Sequence, residues 1–83
     1  MNHEKAIVGF IGAGGIARSH AYSLNSLRYF YNDAPEVVPA AVCSATARSR
    51  TSFAGRFGFA RSCDMEEFLS DGEINSVYIL GPN

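Results

Sequence analysis

Ala6-Ile7-Val8-Gly9-Phe10-Ile11-Gly12-Ala13-Gly14-Gly15-Ile16-Ala17 decides the fold of this chain. Residues 6 to 11 are apolar and carry neither charge nor proline. Such a run suits a strand covered on both faces, as in a parallel sheet. Gly12, Gly14 and Ala17 then fit the spacing G-x-G-x-x-G/A. Gly12 permits a tight turn out of the strand. Gly14 lacks a side chain, so a pyrophosphate can approach the backbone. Ala17 is small enough for a helix to pack closely on the strand. The helix that opens here offers unpaired N–H groups and a partial positive charge to phosphates. The pattern lies between a strand and a helix, the context that dinucleotide binding requires. The plainer alternative is a tight turn without a ligand, or one that holds another anion.

Outward from this turn, Ile16, His20, Leu24, Leu27 and Tyr31 recur at helical spacing and mark one helix face. Ala17 and Ala21 flank it. The first helix is expected over about Gly15 to Tyr31, and Asn32-Asp33-Ala34-Pro35 breaks it. Val37 to Cys43 is the second strand. Pro39 cannot donate to a ladder, so it is expected to begin that strand, with pairing from about Ala40 to Cys43. Thr46 is the expected N-cap of a second helix, whose buried side is Phe53, Ala54 and Phe57 and whose end is Gly58. Phe59 to Cys63 holds a short third strand. Asp64-Met65-Glu66-Glu67 reads as a capping box for a third helix, with Phe68 and Leu69 as its apolar contacts and Asp71-Gly72 as its stop. Ser76 to Leu80 is rich in β-formers and makes a fourth strand.

Strands alternating with helices imply an α/β fold: a Rossmann-type parallel sheet with flanking helices, connected β-α-β-α-β-α-β. The expected strand order is 3-2-1-4.

Length and composition bound the function. The 83 residues suffice for one small domain, and 47% hydrophobic content with a net charge of −1 describes an ordinary globular protein. The arginines are scattered and Lys5 is the sole lysine, which argues against nucleic acid as a partner. The apolar runs fall well short of the roughly 20 residues that span a membrane. The start, Met1-Asn2-His3-Glu4-Lys5, lacks the layout of a signal peptide, so a cytoplasmic setting is expected. Cys43 and Cys63 are too few and too far apart for a zinc site or a disulfide scaffold; Cys43 reads as a small buried hydrophobe, and a redox role is expected for neither. No cluster of metal-ligand residues stands out in the sequence.

The second strand bears on the cofactor. A carboxylate at its carboxyl end commonly binds the adenosine ribose. Asp33 and Glu36 lie at the right count but before the strand, and a strand of ordinary length puts about 17–20 Å between its ends. Both are therefore rejected. The residue after the strand is the neutral Ser44, followed by Arg48 and Arg50. Serine and arginine can bind a 2′-phosphate that a carboxylate would repel, so the sequence leans toward NADP over NAD. The bland alternative is that Ser44 caps the helix and the arginines sit in solvent.

Four segments together resemble the N-terminal domain of the Gfo/Idh/MocA oxidoreductase family. They are Val8 to His20, Ala41 to Ser44, Phe53 to Gly58, and Ile74 to Asn83. The resemblance implies an NAD(P)-dependent oxidoreductase acting on sugars, inositols or related polyols. It carries Gly12, Ala13, Gly14, Gly15, Ile16 and Ala17 over as pyrophosphate binders. Ser44 falls where many members have aspartate and some NADP users have a neutral residue. Leu80, Gly81, Pro82 and Asn83 match the segment beside the nicotinamide half, although Gly81 replaces a more usual threonine. His20 matches a position where histidine is frequent. The stretch from Arg28 to Val38 is longer than the family norm.

The family's Glu-Lys-Pro lysine and its C-terminal catalytic histidine have no counterpart in these residues. The expectation is therefore a truncated portion, residues 1–83 of a dinucleotide-binding domain, without the substrate domain through which a homo-oligomer would assemble. A fourth strand left without its outer neighbour is an association hazard, and so small a chain is marginal. The isolated 83-mer is expected to aggregate or unfold, which a cooperative melt of a monodisperse monomer would refute. A non-catalytic dinucleotide sensor or scaffold is the rival function, because fold alone does not fix function. A nucleoside-binding methyltransferase is a weaker third reading.

Overall fold

In the computed structural model, which describes residues 5–30 and 36–80, strands and helices alternate along the chain. They are β1 (Lys5–Ile11), α1 (Gly15–Phe30), β2 (Glu36–Cys43), α2 (Ala47–Phe57), β3 (Arg61–Cys63), α3 (Met65–Leu69) and β4 (Ser76–Ile79). The sheet order is β3-β2-β1-β4 and every pairing is parallel, as the alternation requires. The expected break at residues 32–35 and Tyr31 lie outside the described residues.

Two apolar layers cover the sheet. Val8, Phe10 and Val42 on one face pack against Ala17 and Ala21 of α1 and Phe53 and Ala54 of α2. Phe10 is fully buried, with ring centroids 5.0 Å from Phe59, 5.5 Å from Tyr78 and 6.1 Å from Phe53. On the other face Ala41 and Cys43 of β2, with Cys63 of β3, meet Phe68 of α3. Gly9 is the point of closest approach there. A Cβ built on Gly9 would lie 2.5 Å from Phe68 Cζ, so only glycine lets α3 rest on β1 in this way.

The structure corrects four expectations. The buried stripe of α1 runs through Ala17 and Ala21, with Leu24 partly buried beside them, while Ile16 (61% exposed) and His20 point outward. Small side chains let the helix axis approach the sheet, so the alanines and not the larger residues form the contact. Second, Pro39 does not begin β2; it pairs with Val8 in mid-strand. The register shifts between Val8 and Gly9, so Ala40 is an extra residue and Gly9 faces Ala41. The Pro39 carbonyl accepts from Ala60 N at 3.0 Å, just before β3 begins at Arg61. The proline nitrogen faces the same side, where no ladder donor is needed. The bulge also explains how Val37 and Val42, an odd number of residues apart, both pack in the α1–α2 layer. Third, Leu69 is 73% exposed, and Phe68 alone anchors α3. Fourth, β4 ends at Ile79, one residue short of Leu80.

Local chemistry sets the remaining boundaries. Thr46 Oγ1 caps α2 by accepting from Ser49 N, and Gly58 ends it at φ 77° in the left-handed region. Asp64 and Glu67 form the expected capping box of α3, at 2.8 and 3.1 Å. Arg61 pairs with Asp71, tying β3 to the segment after α3. Asn75 fixes β4 on β1, since its Oδ1 accepts from Ile7 N at 2.9 Å and its Nδ2 donates to Lys5 O at 3.0 Å. The outer edge of β4 has no strand beside it among the described residues, and Val77 and Ile79 are 51% and 77% exposed.

Candidate functional site

All four strands end at one level. Ile11 is in register with Cys43 and with Ile79, and Cys43 with Cys63. The residues that follow are Asp64, Ser44, Gly12 and Leu80, which therefore line up across the carboxyl edge of the sheet, where ligands of this fold class bind. Two backbone bonds hold the row together: Gly12 N donates to Cys43 O at 2.7 Å, and Leu80 N donates to Ile11 O at 2.7 Å.

The glycine turn sits at the centre of that row. Gly12 is buried and has φ 120°, a conformation L-residues rarely adopt. Ala13 is partly buried against the core. Gly14 and Gly15 are exposed, and a Cβ built on either would meet no atom within 4 Å, so the space above the turn is open. Gly14 O accepts from Arg18 N at 3.0 Å, which makes Gly14 the residue that precedes the first helical turn. It has no side chain with which to cap α1, and that turn contains no acidic residue. The first N–H groups of α1 therefore face the open space. Ile16 is exposed beside them, and Ala17 is fully buried against the sheet.

Ser44 lies on one flank. Its Oγ is 2.5 Å from Ser49 Oγ and donates to Thr46 O at 3.2 Å. Arg50 reaches back from α2 and donates through Nη1 to Ser44 O at 3.1 Å, so one guanidinium is anchored at the end of β2. Arg48 is exposed on the first turn of α2. The structure thus gathers Ser44, Thr46, Ser49 and Arg50 into one polar group and leaves Arg48 at its rim. Ser49 was missed by sequence reasoning, because a serine inside a helix carries no signal until its neighbour across the turn is known. Glu36 opens β2 opposite Lys5, at the far end of the sheet.

Leu80 stands on the other flank, half-buried against the α1–α2 layer. Gly81, Pro82 and Asn83 lie outside the described residues. His20 sits one turn into α1, donates through Nδ1 to Ile16 O at 3.0 Å, and has its ring edge-on to Tyr78 at 6.0 Å. These contacts hold the imidazole on the α1–β4 side. Burial pushes the Cys43 thiol above the ordinary thiol range, opposed by a smaller downward pull from Arg50 and aided by a smaller upward push from Asp64. Burial likewise pushes Cys63 up, with neighbouring Cys43 adding to it and Arg61 opposing. Among the described residues, no helix is long and apolar enough to cross a membrane.

Comparison with known proteins agrees with this geometry. A family model described as oxidoreductase family, NAD-binding Rossmann fold, matches residues 7–83. No curated protein matches the chain. Among solved structures, levoglucosan dehydrogenase in complex with NADH is 29% identical, with a TM-score of 0.88 over 96% of this chain and 22% of that one. The same enzyme in complex with NADH and levoglucosan gives 29% identity and a TM-score of 0.87, covering 96% of this chain and 22% of that one. An NAD-binding oxidoreductase from Klebsiella pneumoniae is 25% identical at a TM-score of 0.83, covering 95% of this chain and 22% of that one. The chain thus spans about a fifth of the length of the structures it resembles.

Proposed function

The chain belongs to the Gfo/Idh/MocA oxidoreductase family, and from that premise we propose that it is the NAD(P)-binding portion of a dehydrogenase acting on a sugar, inositol or related polyol. The observation that carries the reading is the uncapped glycine turn at the centre of the strand-end row, with open space above Gly14 and a polar group beside it at Ser44. In this reading Gly12, Ala13, Gly14, Gly15, Ile16 and Ala17 receive the pyrophosphate on the N–H groups of α1. Ser44 and Arg48 take the adenosine ribose, with Ser49 and Arg50 in support. Leu80, Gly81, Pro82 and Asn83 border the nicotinamide half. When bound, the nicotinamide supplies hydride transfer to or from a hydroxyl-bearing carbon, and these residues orient it. Substrate binding and proton donation belong to parts of the protein beyond residues 1–83, as does a homo-oligomer interface. A cytoplasmic setting, where such cofactors are plentiful, completes the proposal.

The levoglucosan dehydrogenase complexes hold NADH. The preference for NADP therefore rests on this chain's own residues, namely a neutral Ser44 and the cations that follow it. Titration with each cofactor tests it. NADP is expected to bind more tightly, and Arg48→Ala or Arg50→Ala to weaken NADP about tenfold, as loss of a charged hydrogen bond does, while leaving NAD unchanged. Equal losses for both cofactors would sink the phosphate role. Binding of neither cofactor to the wild type would sink the proposed function.

A further inference from the structure

The two cysteines are distant in sequence and adjacent in the fold. Cys43 is the last residue of β2 and Cys63 the last of β3, and the parallel register sets them opposite each other. Both are free and buried on the α3 face, in one cluster with Ala41 and Phe68. Neighbouring strands lie about 4.7–4.9 Å apart, inside the roughly 4.4–6.8 Å Cα window of a disulfide. In-register side chains leave a parallel sheet in the same direction, so their Cβ vectors do not diverge. Closing a bond would draw the Cβ atoms together by about 1 Å. Residues 1–83 contain no further cysteine to compete for either thiol.

We propose that Cys43 and Cys63 form a reversible dithiol–disulfide couple, which on oxidation ties the ends of β2 and β3 together and weakens dinucleotide binding at the adjoining edge. The oxidant is a small-molecule disulfide. One cysteine thiolate attacks it, forming a mixed disulfide and expelling one thiolate. The second cysteine thiolate attacks the mixed disulfide at the protein sulfur and expels the other. Two cysteine thiols are oxidised to one S–S bond, the oxidant's S–S is reduced to two thiols, and the two cysteine protons end on them.

Coupling to the edge follows from one bond. Cys43 O accepts from Gly12 N, so pulling Cys43 toward Cys63 draws it away from the glycine turn. Ser44 moves with it. Access comes through β3, which has three residues and lies at the edge of the sheet, where local opening is easiest. The raised thiols make the reaction slow at neutral pH and faster in alkali.

Disulfide formation stands on the register alone, whereas its effect on the cofactor rests on the function proposed above. The test incubates the purified protein in buffers of rising glutathione disulfide, alkylates the remaining thiols and digests without reduction. The expected product is peptide 29–48, which holds Cys43, joined within one monomer to the peptide that begins at Ser62 and holds Cys63, lost in Cys43→Ser and in Cys63→Ser and reversed by dithiothreitol. A cross-link that forms only in urea, or only between chains, would overturn the couple. Oxidised wild type is expected to bind NAD(P) about fivefold more weakly than reduced, while the Cys43→Ala/Cys63→Ala variant binds equally in both buffers. Equal binding by cross-linked and reduced wild type would overturn the coupling and leave the disulfide standing. Cross-linking in a protein that binds no dinucleotide in either state would overturn the proposed function instead.

Discussion

The turn from β1 into α1 and the turn from β3 into α3 solve the same problem in opposite ways. Each takes a parallel strand at the carboxyl edge of the sheet and starts a helix. Asp64 accepts from Glu67 N, and Glu67 accepts from Asp64 N, so the third helix satisfies its own first donors. The turn at Gly12 to Gly15 has no side chain to spend on that task, and nothing occupies the space a Cβ at Gly14 would take. One helix start is closed by its own carboxylates, and the other is left open to a foreign anion. A capped start and an open start look alike as ribbons, and only the side chains tell them apart.

The sharpest way to break this contrast is to give the first turn what the third one has. Gly14 has room for a side chain and does not sit at positive φ, so Gly14→Asp is accommodated. Its carboxylate would cap α1 and repel the pyrophosphate. Dinucleotide affinity is expected to fall about a hundredfold, or ~2.7 kcal/mol, in a cofactor titration. Thermal stability should hold or rise by up to ~1 kcal/mol. Retained affinity would mean the open start is not where phosphates bind.

A smaller effect is expected at Gly9, which sets how close the capped helix lies to β1. Gly9→Ala pushes against the Phe68 ring and should cost about 1–3 kcal/mol in denaturant unfolding. Adding Phe68→Leu should recover part of that loss. Removing the cap itself comes next. Asp64→Ala should cost ~1 kcal/mol and leave cofactor affinity unchanged, the mirror image of Gly14→Asp. Last is pH. Both thiols titrate higher when folded than when unfolded, so their contribution is intact below the unfolded thiol range and is lost as pH climbs through the folded one. The alkaline fall in melting temperature should flatten in Cys43→Ala/Cys63→Ala.

Much of this was legible because the governing signals are local. The strand before Gly12, the Thr46 cap, the Asp64–Glu67 box and the Gly58 stop each depend on a few neighbouring residues, and the strand order followed from their alternation. What was not legible depended on partners distant in sequence. Which face of α1 is buried was decided by the sheet's demand for close approach, and alanines met it where Ile16 and His20 did not. Pro39 could stay inside β2 because β3 begins one step later. Ser49 joined Ser44 only when α2 turned back over the end of β2. Cys43 and Cys63, read as unrelated, became neighbours through the register. Gly9 did carry a usable signal, since a lone glycine inside an apolar strand points to a close approach.

The extra residue at Ala40 has a consequence for how relatives of this chain are compared. The bulge absorbs it, so Val42 stays opposite Phe10 and Cys43 opposite Ile11, and the strand can lose this one residue without exchanging Val42 and Cys43 across the sheet. A gap opened at this point in an alignment would therefore be neither the loss of a loop residue nor an exchange of faces. It would record a bulge straightened inside the core, with the apolar pattern after it kept on the same faces.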